Sequence, residues 1–155
     1  MTDTTPLAID WDAVTQRFQQ WQAGAATLIA GNKTRLLSFL SAAGITRVMI
    51  NFDGCGDSGQ IEDVAAVKGD GQVDLPPETV ELLALAYGAT EPVARVLPVG
   101  EAVEKLAYDL LHQKHSGWEN NDGAYGEFTF DVTAGTITLD YNERFTSSEN
   151  YMYQW

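Results

Sequence analysis

The segment from Glu127 to Tyr141 leaves this chain few ways to fold. Phe128, Phe130 and Val132 alternate with Glu127, Thr129 and Asp131, and Ile137, Leu139 and Tyr141 repeat the pattern after Ala134-Gly135. A period of two is the period of a strand, and a glycine-containing break between two such runs marks a hairpin. One face of this hairpin is apolar and the other carries acids and hydroxyls. The sheet it enters is therefore antiparallel, with a packed side and a wet side.

A second hairpin is expected over residues 45–68. Val48, Ile50 and Phe52 share one face of Ile45–Phe52, Gly54, Gly56 and Gly59 supply a flexible turn, and Gln60–Lys68 returns. Around the hairpins, spacing predicts helices over about 10–30, 33–43, 78–87 and 101–114. Asp10 caps the first, which carries Trp11, Val14, Phe18, Trp21 and Leu28, and Gly31-Asn32 ends or bends it. The second stops at Gly44, the third at Gly88, and Val103, Leu106, Ala107, Leu110 and Leu111 line the fourth. Gly69–Pro77 reads as a polar loop, Arg95–Val99 as a short strand or connection, and Tyr151–Trp155 as a short terminal strand. The helices do not alternate regularly with the strands. The expected class is α+β, an antiparallel sheet of two hairpins packed against helices, in a single globular domain over residues 1–155 with residues 1–9 frayed.

Charge narrows the function. The chain carries 22 acids and 9 bases, a net charge of −13. Residues 49–81 hold eight acids (Asp53, Asp57, Glu62, Asp63, Asp70, Asp74, Glu78, Glu81) against Lys68 alone. Residues 118–143 hold six (Glu119, Asp122, Glu127, Asp131, Asp140, Glu143) and no base. Direct nucleic-acid binding is disfavoured by such a field. Cys55 is the single cysteine, so no intrachain disulfide forms and a reducing compartment is expected. The start of the chain lacks a signal peptide's pattern, and no apolar run is long enough to span a bilayer, so a cytoplasmic protein without a membrane partner is expected.

The loop before the second hairpin packs Trp118, Glu119, Asn120, Asn121, Asp122 and Tyr125 among glycines. Gly56-Asp57-Ser58-Gly59 has the letters of a serine-hydrolase nucleophile, and Asp109 and His112 have the spacing of an esterase acid–base pair. Both belong to a predicted helix, the intervening glycine and asparagine blocks are missing, and a triad is recognised by geometry. A turn accounts for the Gly-Asp-Ser-Gly letters. Asp53, Asp57 and Glu62, with Glu119 and Asp122 from the other loop, are the residue types that hold a hard cation such as Ca²⁺ or Mg²⁺. The same residues serve equally as solvated turns. His112 and His115 have helical spacing suited to zinc, but Cys55 is the only other soft ligand, and a helix C-terminus favours histidine anyway. Trp118 and Tyr125 either anchor a partner or seat the loop on the sheet.

Leu106–Leu111, His115–Val132 and Ile137–Arg144, with the specific block Gly-Trp-Glu-Asn-Asn-Asp-Gly and the block Asn51–Gly59, resemble an uncharacterised domain family of small acidic bacterial proteins. The resemblance covers most of the chain from about Thr46. It implies a bacterial, mobile-element setting and brings no activity, cofactor or catalytic residue.

The leading expectation is a non-catalytic acidic protein. Carboxylates held at alternate strand positions (Glu127, Asp131, Asp140, Glu143) meet a basic protein, as a nucleic-acid mimic or inhibitor does. The binding candidates are Asp53, Asp57, Ser58, Trp118, Glu119, Asn120, Asn121, Asp122 and Tyr125. The first alternative is a divalent-metal site or metal-dependent enzyme using Asp53, Asp57, Glu119 and Asp122. The second is a structural accessory subunit, with homo-oligomers formed through the aromatic C-terminus.

Overall fold

A computed structural model describes residues 10–56, 58–85, 89, 91–120 and 122–155. It shows an α+β arrangement. Helix α1 spans Trp11–Ala42, and strands β1 (Arg47–Cys55), β2 (Ser58–Lys68) and β3 (Gly71–Val73) follow. Strands β4 (Thr79–Ala84) and β5 (Val93–Pro98) lead into helix α2 (Val99–Lys114), and β6 (Ala124–Asp131) and β7 (Thr136–Glu143) close the order. Five strands form one antiparallel sheet in the order β3-β2-β1-β6-β7, and β4 and β5 form a separate pair. No helix among the described residues is long and apolar enough to cross a membrane.

The two expected N-terminal helices are one helix of 32 residues. Asp10 caps it, accepting from the Ala13 N–H at 3.1 Å. Gly31-Asn32 does not break it, because Asn32 spends its side chain elsewhere. Its Nδ2 donates to Leu83 O and its Oδ1 accepts from Leu83 N–H, each at 2.8 Å. A side chain occupied by a distant strand has no capacity to compete with its own helix backbone. The C-terminus is closed by Gly44 at φ 81°, with Ile45 N–H donating to Leu40 O and Gly44 N–H to Ser41 O. That is the paired bonding of a Schellman end. The buried residues of α1 are Asn32, Leu36, Leu37 and Leu40, while Trp11, Val14 and Phe18 near its start are exposed.

The helix expected over 78–87 is the strand β4 as far as Ala84, and residues 86–88 lie outside the described residues. Pro76-Pro77 precede it, and Thr79-Val80 are β-branched. Its Leu83 N–H and C=O bond to Asn32, groups that a helix would have used internally. The expected 69–77 loop contains β3, and Tyr151–Trp155 form no strand. The expected frayed lead, residues 1–9, lies outside the described residues.

One hydrophobic cluster draws on Leu36 and Leu40 of α1, Val48, Ile50 and Phe52 of β1, Leu82 of β4, Val103, Leu106 and Leu111 of α2, and Phe128 and Phe130 of β6. The helices thus cover one face of the five-stranded sheet. The β1–β2 register slips between Asn51 and Phe52, leaving Glu62 as a bulge. Beside it the Tyr108 hydroxyl of α2 accepts from Ile61 N–H at 2.9 Å.

Candidate functional site

Two places gather the residues singled out by sequence: the end of the sheet where Asn51–Gly59 meets Gly117–Gly126, and the sheet face that no helix among the described residues covers. At the sheet end the loops touch through glycines. A Cβ on Gly59 would lie 2.4 Å from Trp118 Cη2, and one on Gly54 would lie 2.6 Å from Cζ3. A Cβ on Gly123 would meet the Gly54 carbonyl oxygen and lie 2.7 Å from Cys55 Cα. The indole therefore lies flat on the β1–β2 hairpin because that hairpin has no side chains there. Trp118 is 5% exposed and sits edge-on to Phe52, with ring centroids 5.4 Å apart. The Phe-Asp-Gly-x-Gly-Asp-Ser-Gly block and the Gly-Trp block are two halves of one packing joint.

Among the described residues the carboxylates of the two loops do not converge on one centre. Asp53 accepts from both terminal nitrogens of Arg144 at 3.0 Å, and Arg144 Nη1 also donates to Gly54 O at 3.2 Å. The guanidinium lies 4.6 Å from the centre of the Tyr125 ring. The hydrogen bond to Asp53 raises the Arg144 pKa above its ordinary value. Asp122 instead accepts from the Thr146 hydroxyl at 2.7 Å. Glu119 Oε2 and Trp118 Nε1 are buried with no hydrogen-bond partner among the described residues. Asp57 and Asn121 lie outside the described residues. Among the described residues no three His, Cys, Asp or Glu side chains gather as metal ligands, and a cation at Asp53 would have to displace Arg144.

A cavity of about 570 Å³ at this end is lined by His115, Asn120, Asp122, Tyr141, Glu143 and Arg144, among others. His115 stacks on Tyr141 at 3.6 Å between centroids. Burial first, and the charge and hydrogen bond of Glu143 next, raise the Tyr141 phenol above its ordinary pKa. His112 points elsewhere, into a cavity of about 500 Å³ between α1, β4 and α2 that Asp109 also lines. Asp109 is bound by Lys105 at 2.6 Å. Ser58 begins β2 opposite Cys55, which is exposed and unpaired. The two histidines thus line different cavities.

On the uncovered face, register places side chains in rows. Asp63, Asn51, Glu127 and Asp140 stand opposite one another on β2, β1, β6 and β7. The next row towards the loops is Gln60, Asp53, Tyr125 and Asn142. Neighbouring strands are about 4.8 Å apart, so the three carboxylates of the first row are held at short, fixed spacings. The salt bridges among the described residues are Lys105–Asp109 and Arg144–Asp53, and neither involves that row. Asp131 lies further along the same face, opposite Arg47, and its Oδ1 accepts from Ala134 N–H at 3.0 Å. Glu143 corrects the expectation. It shares the parity of Ile137, Leu139 and Tyr141, and lines the loop-end cavity rather than the acidic face. Asn51 and Asp63 belong to the same face, beyond what alternation in β6 and β7 predicts. Only the pairing register, with its bulge at Glu62, brings Asp63 level with Glu127.

The chain belongs to a family of unknown function, DUF6878, whose model matches residues 28–155. The match begins within α1 and takes in every residue of the buried core. No curated protein and no solved structure matches the chain.

Proposed function

We propose that this chain is a non-catalytic acidic binding protein whose uncovered sheet face receives a basic protein, of the kind that otherwise binds nucleic acid. The observation that carries the reading is the row Asp63–Asn51–Glu127–Asp140, three carboxylates on four adjacent strands with no salt bridge among the described residues. Glu127 and Asp140, the two like charges of the row that face each other directly, cost a few tenths of a kcal/mol, on the order of a cross-strand pair. A partner bringing lysine or arginine removes that cost and gains the attraction. The field of a chain with net charge −13 speeds the encounter. The bacterial, mobile-element or defence setting and the cytoplasmic location belong to this same proposal.

The test is a titration of the chain with a lysine-rich peptide, followed by amide chemical shifts over a salt series. Shifts centred on Asn51, Asp63, Glu127 and Asp140, with affinity falling steeply as salt rises from about 50 to 200 mM, support the reading. Binding that is absent at low salt contradicts it. A melting temperature raised by Ca²⁺ or Mg²⁺ instead would favour the alternative, a cation site drawing on Asp53, Asp57, Glu119 and Asp122.

A further inference from the structure

We propose that the outer edge of β7 accepts one extended strand of the basic partner, in which basic and apolar residues alternate. This rests on the reading of the uncovered face as a partner surface, and adds where and in what form the partner binds.

The backbone supplies the first argument. Arg144 N–H donates to Gly123 O at 2.9 Å, and the β6–β7 register runs unshifted from Ala124–Glu143 to Asp131–Thr136. An antiparallel ladder alternates residues that bond inward with residues that bond outward. Asn142, Asp140 and Thr138 therefore turn their backbone groups to β6, and Tyr141, Leu139 and Ile137 turn theirs to the outer edge. β7 ends the sheet order, and among the described residues no backbone bond reaches that edge.

The side chains on either side of the edge supply the second. On the core side, a slot of about 280 Å³ is bounded by Ile29 of α1, Leu110 of α2, and Ile137 and Leu139 of β7, with Lys33 and Lys114 also lining it. No acid is among its lining residues. That side therefore takes apolar guest residues and repels basic ones. On the open side, Asp140 is the last carboxylate of the acidic row. A guest residue placed next to it across the edge lies within cross-strand reach, where opposite charges attract. Because strand side chains alternate, a single guest strand satisfies both sides only if basic and apolar residues alternate. A second copy of the chain is a poorer occupant. The open-side residues of β7 are Thr136, Thr138, Asp140 and Asn142, none basic, and each copy carries −13.

The probe is a capped peptide of eight residues, matching the 8 of β7, with lysine alternating with valine. Backbone pairing should protect the Ile137, Leu139 and Tyr141 amides from exchange at least tenfold, with little change at Thr138 and Asp140. N-methylation of one alternate set of guest residues should abolish binding and of the other set spare it. Loss on methylating the valines indicates antiparallel addition, and on methylating the lysines parallel addition. Asp140→Lys should weaken binding about three- to tenfold. A lysine peptide of any pattern that binds equally, with shifts confined to Asn51, Asp63 and Glu127, overturns strand addition and leaves the open-face reading standing. A serine–valine peptide that pairs with β7 as tightly overturns the basic guest and the open-face reading together. Self-association through β7 in sedimentation overturns the choice of occupant, and silence of every peptide overturns both proposals.

Discussion

At the loop end of the sheet Asp53 is gripped by Arg144 at 3.0 Å and Asp122 by Thr146 at 2.7 Å, whereas Asp63, Glu127 and Asp140 share a row with Asn51 and no salt bridge among the described residues. Both regions are built from the same residue types. At the loop end, the distinctive letters are consumed by packing: the glycines seat an indole, and the acids fasten the segment after β7. On the open face, the carboxylates of alternating strands carry no salt bridge among the described residues, and Asp140 has a long contact from Asn142 Nδ2 at 3.4 Å. Unusual composition marked the joint, and pairing register made the surface.

The comparison breaks first if the joint is not a joint. Trp118→Ala should cost about 3–5 kcal/mol in a urea melt, the range for a buried large aromatic. Gly59→Ala, whose Cβ would lie 2.4 Å from the indole, should cost about 1–3 kcal/mol through overpacking. Both should leave lysine-peptide affinity unchanged under conditions where the variants stay folded. A loss of affinity without a loss of stability would move the binding surface to the loop end.

A smaller effect is expected at Asn32, 1% exposed and clamped to Leu83. Asn32→Leu leaves the Leu83 N–H and C=O without their partner and should cost about 1–3 kcal/mol, with exchange of the Leu83 amide accelerated. The open face should not respond.

Alkaline pH separates the regions without a stability-critical mutation. The folded chain holds the Tyr141 proton more tightly than the unfolded chain does, chiefly through burial and then Glu143. The stability this contributes is complete below the ordinary value of 10.0 and is lost as pH rises through the higher folded value. Tyr141→Phe should flatten the alkaline fall in melting temperature, and an unchanged fall would detach Tyr141 from it. The smallest change is expected for Arg144→Ala, an exposed pair whose loss should show as faster exchange around Gly54 and the segment after β7, with little movement of the global melt.

Much of this fold is legible in the sequence, and the reasons differ by element. The β6–β7 hairpin and α2 carry clean periods over eight or more residues, and each stands within three residues of its expected bounds at either end. β4 is six residues long, too short for its period to be told from a helical one, and its backbone is spoken for by Asn32, 51 positions away. The continuity of α1 depends on that same distant bond. At the site, the importance of both loops is visible in their letters, but their role is not. A glycine written for a turn and a glycine written for an indole look alike until the indole is placed. The acidic row was half legible. Glu127 and Asp140 follow from alternation, whereas Asn51 and Asp63 join, and Glu143 leaves, only through register and parity.

The most direct test neutralises the row: Asp63→Asn, Glu127→Gln and Asp140→Asn together, read for melting temperature and lysine-peptide affinity at low salt. The melting temperature should equal or exceed that of the parent, because the Glu127–Asp140 repulsion of a few tenths of a kcal/mol is relieved, and the affinity should be at least tenfold weaker. Unchanged affinity, or a chain destabilised by losing these three charges, would contradict the acidic row as the binding surface.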